Sequence, residues 1–134
     1  MPPVPVPPDV DAFLAKPNPA VVATIRPDGT PHTAATWYDW EDGRVLLNMD
    51  ESRVRLGYLR ANPAVSLTVL GDDWYRHVTL LGNVVSIEED EGLRDIDRLA
   101  LRYSPNRYRD RTSKRFSAWM EPERWYAWPP PARG

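Results

Sequence analysis

Cysteine is absent from this chain of 134 residues, which excludes disulfides, thiolate nucleophiles and cysteine-ligated metals and leaves stability to burial or association. No apolar run approaches the roughly 20 residues that cross a bilayer, so no membrane partner is expected. Residues 1–8 have neither the basic start nor the apolar middle of a secretory signal, and a cytoplasmic location is expected. The two histidines, His32 and His77, have no His or carboxylate nearby at a recurring ligand spacing, so no metal site is assigned. Lysine is scarce too: Lys16 and Lys114 are the only two, and arginine supplies the remaining positive charge. A formal net charge of −2 excludes the broad basic surface of a non-specific nucleic-acid binder.

What is present suffices for one globular domain, with 42% hydrophobic and 27% charged residues. Residues 1–8, five of them proline, read as an extended Pro-rich N-terminal arm without ladder hydrogen bonds, and residues 9–134 as a single domain. A short helix is expected over 9–16, with Val10, Phe13 and Leu14 on one face, ended by Pro17 and Pro19. The β-branched run 20–26, the turn Pro27-Asp28-Gly29-Thr30 and renewed strand character over 31–40 make a hairpin. A turn at Glu41-Asp42-Gly43 leads to a strand over 44–49, and Ser52 offers an N-cap for a helix over 53–61 that stops at Asn62-Pro63. Strands over 64–70 and 74–87 follow, the second bent or bulged at Gly82. Residues 88–103 turn to a period of 3.6, with Leu93, Ile96, Leu99, Ala100 and Tyr103 on one face. After a polar loop, strands over 114–120 and 124–128 flank a turn at Glu121-Pro122-Glu123. About seven strands with two principal helices make a mainly β protein, whose meander escapes exposed edges by closing into a barrel.

Several segments carry candidate chemistry. Ser52-Arg53-Val54-Arg55 sets two guanidiniums at a helix N-terminus, the makings of an anion site, or else a capped surface helix with solvated arginines. The stretch 32–38 alternates polar and apolar residues, and its small side chains let a flat ring approach the backbone; Thr36 and Trp37 line a ring pocket on this reading and an ordinary half-buried strand on the other. Arg107-Tyr108-Arg109-Asp110-Arg111 with Lys114-Arg115 reads as a solvated loop, an RNA contact or a clamp for an acidic cofactor tail.

The order of these elements resembles the pyridoxamine 5'-phosphate oxidase-like FMN-binding split barrels, in particular their deazaflavin (coenzyme F-420)-dependent oxidoreductase branch. The strings that carry it are 20–26 through Gly29-Thr30-Pro31-His32, Glu51-Ser52-Arg53-Val54-Arg55, residues 59–67, the long strand with Gly82, and Pro122-Glu123-Arg124 before an aromatic strand. The resemblance implies a homodimeric split β-barrel with the cofactor in a cleft between subunits. It also implies cofactor contacts from Thr36, Trp37, Asn48, Ser52, Arg53 and Arg55, the last two holding a phosphate. Two departures stand out: Arg55 replaces a frequent lysine, and Gly57-Tyr58 replaces a polar pair. The implied activity is hydride transfer from coenzyme F-420 to a conjugated small-molecule acceptor, the arginine-rich, lysine-poor composition fitting a high-GC genome in which the deazaflavin is common. An FMN-dependent oxidase or reductase of the pyridoxamine phosphate oxidase type is the alternative, and a non-catalytic flavin-binding or storage module a second. No catalytic residue is assigned; a histidine role stays open.

Overall fold

The computed structural model describes residues 1–131. In chain order it runs α1 (Pro8–Leu14), β1 (Ala20–Ile25), β2 (Pro31–Thr36), β3 (Asp39–Glu41), β4 (Arg44–Asp50), α2 (Val54–Ala61), β5 (Ala64–Leu70), β6 (His77–Glu89), a 3-10 turn (Glu91–Leu93), α3 (Arg94–Tyr103) and β7 (Arg115–Trp128). All seven strands form one sheet in the order β2-β1-β5-β6-β7-β4-β3, every pairing antiparallel. Its outer strands β2 and β3 are consecutive in the chain, joined by Trp37-Tyr38, so the sheet curls into a barrel split along that seam. The mainly β expectation holds. No helix among the described residues is long and apolar enough to cross a membrane.

Strand alternation fills the barrel. Val22 of β1, Leu67 and Val69 of β5, Val78 and Leu80 of β6, Ala118 and Met120 of β7, and Val45, Leu47 and Met49 of β4 form one buried cluster with Phe13 and Leu14 of α1 and Leu56 and Leu59 of α2. Residues 45–49 are buried without interruption because the other face of β4 is covered as well: Leu46 packs with Ile96 and Leu99 of α3. That second layer, between β4, β7 and α3, holds the site.

The bulge expected at Gly82 is present as a register shift between Leu81 and Gly82 against β7. A Cβ on Gly82 would collide with the Glu121 carbonyl and come within 2.8 Å of Pro122 Cα, so only glycine allows this approach. The same bulge corrects the expected turn at Glu121-Pro122-Glu123: β7 runs unbroken from Arg115 to Trp128, and Pro122, which cannot donate to a ladder, sits where the register slips.

Other expectations are revised. The strand over 31–40 breaks at Trp37-Tyr38, where the Tyr38 side chain turns inward and donates its hydroxyl to the Leu14 (2.7 Å) and Lys16 (3.0 Å) carbonyls. Residues 74–76 lie in the loop before β6, whereas Glu88 and Glu89, expected to open the helix, end β6 opposite Ser117 and Phe116. α3 starts at Arg94, and Asp90 satisfies its first amides by accepting from Asp95 N and Ile96 N, both at 2.9 Å. Ser52 is not an N-cap: Arg53 holds that position without a side-chain bond, and the Ser52 hydroxyl donates to Asp50. The N-terminal arm is docked on β7, with Val4 N donating to Glu123 O and Trp125 N to Pro2 O, each at 3.1 Å.

Candidate functional site

A cavity of about 580 Å³ opens between the layers, lined by residues from widely separated parts of the chain. β2 contributes Ala34, Ala35 and Thr36; the seam contributes Trp37; β4 contributes Asn48; the start of α2 contributes Arg53 and Arg55. α3 adds Ile96, Leu99 and Tyr103, the following loop Tyr108, and the first residue of β7 Arg115. Pro17, Pro19 and Ala20 complete the wall.

Five of the six residues expected at a cofactor site therefore share one cavity: Thr36, Trp37, Asn48, Arg53 and Arg55. Ser52 is not among them; it faces Asp50, accepting nothing from a helix amide. Thr36 spends its hydroxyl on the Trp37 carbonyl at 2.8 Å, which leaves β2 with a low-relief surface of small side chains. Trp37 is held by two tyrosines, stacked on Tyr103 at 5.5 Å between ring centres and meeting Tyr108 edge-on at 6.1 Å. Tyr103 in turn donates its hydroxyl to Asn18 O at 2.7 Å.

The opposite part of the cavity is cationic. Arg53, Arg55 and Arg115 gather around Asp50, whose Oδ2 lies 3.4 Å from Arg53 Nε and 3.8 Å from Arg115 Nη1. The Ser52 hydroxyl donates to the Asp50 carboxyl and, with Arg53 and Arg115, holds it below the ordinary carboxylate range. Arg55 has no hydrogen bond or ion pair with any described residue; burial, then the charges of Arg53 and Arg115, pull its guanidinium below its usual value. One carboxylate against three guanidiniums leaves a net positive wall, and that wall can hold an anion with several oxygens.

Three wall residues, Arg115, Tyr103 and Tyr108, are not among the six expected cofactor contacts, Tyr103 being expected only on the apolar face of a helix. Arg115 and Tyr108 belong to the basic segment that reads as a solvated loop, an RNA contact or a clamp for an acidic cofactor tail, and the structure divides that segment: Arg111 pairs with Asp97 at 2.6 Å and Lys114 with Glu89 at 3.2 Å, while Arg115 turns inward. The available signal was parity, because Arg115, Ser117 and Trp119 occupy one face of a strand whose other face, with Ala118 and Met120, is plainly core. Neither histidine reaches the cavity. His32 lies edge-on to Tyr58 with its buried Nδ1 unpartnered, and His77 Nδ1 lies 3.1 Å from the Tyr75 carbonyl.

Comparison with known proteins agrees with this architecture. A structure titled F420 Reductase superposes with a TM-score of 0.81 at 29% identity, covering 90% of this chain and 98% of that one. A conserved hypothetical protein from Mycobacterium tuberculosis gives 0.70 at 25% identity, covering 98% and 93%. General Stress Protein 26 from Bacillus anthracis gives 0.62 at 21%, covering 87% and 88%, a likeness of fold alone. Curated protein sequences returned no match. The family model described as Pyridoxamine 5'-phosphate oxidase matches residues 6–129, nearly the whole barrel including every wall residue of the cavity, and the chain therefore belongs to the pyridoxamine 5'-phosphate oxidase family.

Proposed function

We propose that this protein is an oxidoreductase that uses a phosphate-bearing deazaflavin, coenzyme F-420, to reduce a conjugated organic acceptor, with FMN as the competing cofactor. The observation that carries the reading is the pairing, in one cavity, of a small-residue floor (Ala34, Ala35, Thr36) with three arginines that share a single carboxylate, Asp50, Arg55 having no ion pair with any described residue. A flat heteroaromatic ring fits the first and its phosphate the second. The structural likeness to an F420 reductase favours the deazaflavin over FMN.

When bound, the deazaflavin supplies the hydride; the protein's part is orientation and exclusion of water. Trp37, clamped by Tyr103 and Tyr108, gives the ring a fixed wall, and Arg53 and Arg55 anchor the phosphate. Hydride transfer asks little of acid–base groups, which fits a cavity reached by neither histidine.

Titration of the purified protein with coenzyme F-420 and with FMN, followed by ring fluorescence, tests this directly. Tighter binding of the deazaflavin, and oxidation of its reduced form on adding a conjugated acceptor such as a quinone, is the expected result. Binding of neither would overturn the reading, and binding without turnover would favour a storage module.

A further inference from the structure

Arg115 is the least solvated cation of the cavity, at 6% exposure, and it is held in an unusual way. Its Nε donates to Asn48 Oδ1 at 2.8 Å, and its guanidinium lies 4.6 Å from the centre of the Tyr108 ring. Neither Nη atom has a hydrogen-bond partner among the described residues, and the nearest carboxylate oxygen, Asp50 Oδ2, is 3.8 Å from Nη1 and closer, at 3.4 Å, to Arg53 Nε. The Nη donors are not sealed off, since the buried side-chain polar atoms without a partner among the described residues are Thr24 Oγ1 and His32 Nδ1, so they open on the cavity that Arg115 lines.

Asn48 cannot rotate to serve a ligand itself. Its Nδ2 donates to Asp90 Oδ2 at 3.1 Å and to Ser117 Oγ at 3.2 Å, which fixes the amide with Oδ1 toward Arg115. Asp90 is immobilised by the α3 amides it accepts, and Ser117 by donating to Asp95 Oδ2 at 2.6 Å. The chain from the α3 terminus through Asp90 and Asn48 ends on the inner edge of the guanidinium and leaves both Nη atoms for the cavity.

We propose that Arg115 takes the anion's charge from inside the cavity, presenting its two Nη groups to two oxygens of a phosphate, and that Asn48 is a positioning residue that aims it. This rests on the cavity being an anion-bearing cofactor site, and it assigns to Arg115 the inner half of a cradle whose outer half is Arg53 and Arg55. A planar fork held from behind by an amide is a recogniser of paired oxygens, not a diffuse positive charge.

The test compares ligands that differ only in the anion: FMN against riboflavin, and coenzyme F-420 against its phosphate-free chromophore. Arg115→Met should cut the preference for the phosphate-bearing member by at least about 10- to 100-fold, the figure for losing even one of the fork's two charge-assisted hydrogen bonds, leaving affinity for the bare ring unchanged. Arg115→Lys should restore part of it. Asn48→Leu should lose preference in the same direction, and the double variant should be no worse than Arg115→Met alone, the signature of two residues acting as a unit. If Asn48→Leu does not fold, Ser117→Ala loosens the same amide and should give a smaller loss. Equal weakening of both members by the Asn48 or Ser117 variant would mean a purely structural role and overturn the positioning. In parallel, inorganic phosphate at constant ionic strength should raise the melting temperature of the parent and of the surface control Arg26→Met, but not of Arg115→Met. Stabilisation by phosphate through Arg115 with no ring binding would sink the cofactor reading and keep this inference. Ring binding with an undiminished phosphate preference in Arg115→Met would do the reverse.

Discussion

Arg55 and Gly82 illustrate two ways in which one residue carries information. Arg55 stands in a field of like charge with no partner of its own, so its removal relieves repulsion in the empty protein and costs affinity when an anion arrives. Arg55→Ala is expected to weaken FMN or deazaflavin binding by about 1.5–3 kcal/mol while leaving the melting temperature of the free protein level or slightly raised. Arg55→Lys should recover much of the affinity. Arg98 is the contrast: it bonds Asp39 (2.6 Å) and Glu41 (2.7 Å) outside the cavity, so Arg98→Ala should leave the titration curve where it was. Gly82 carries a steric message, because the atoms that would meet a Cβ are backbone of β7 and cannot yield as a side chain does. Gly82→Ala should cost at least about 1–3 kcal/mol, read as a lower denaturant midpoint in chemical unfolding.

At the scale of elements, the decisive joint is where α1, α3 and the β2–β3 seam meet. Arg102 of α3 donates to Tyr38 O (3.0 Å), Ala15 O (2.8 Å) and Lys16 O (2.6 Å), supplying donors to carbonyls left open at the end of α1. Tyr38 meets the same carbonyl group from below, and burial, followed by the adjacent Tyr103, pushes its phenol far above the ordinary value of 10. Tyr103 is raised as well, again chiefly by burial. A phenol whose pKa is higher folded than unfolded contributes stability in full below pH 10 and loses it as pH rises toward the folded value. The melting temperature is therefore expected to fall steeply above pH 10, and Tyr38→Phe, although less stable at neutral pH, should show a shallower alkaline slope.

On the scale of the whole molecule, the arm and the outer surface matter most. Residues 2–4 extend the sheet beside β7, and the Trp125 indole donates to Pro3 O at 3.2 Å. Deleting residues 2–8 is expected to lower the melting temperature by several degrees without abolishing the fold, since the barrel core lies elsewhere. Trp74, 75% exposed, lies in the loop preceding β6, whose partner β7 carries the exposed Tyr126 and Trp128; such aromatic surface suits association with a second copy. Sedimentation is expected to give a dimer at micromolar concentration, and a stable folded monomer there would remove that expectation.

What the sequence determined by itself was local. Alternation marked the strands, Gly29 and Gly43 marked turns that need a positive φ, and Gly82 marked the bulge, because each signal depends on neighbours in the chain. Arg53 and Arg55 were legible for the same reason, two guanidiniums beside a helix start. Tertiary structure alone decided the rest. Trp37-Tyr38 became a seam because Tyr38 found acceptors 22 and 24 residues away. Asn48 accepts from Arg115, a partner 67 residues along the chain. Arg115 left the solvated loop for the cavity because β7 pairs it with Asp50, on the face that α3 covers. A side chain's partners across such distances depend on which faces the fold brings together, and no local pattern encodes that.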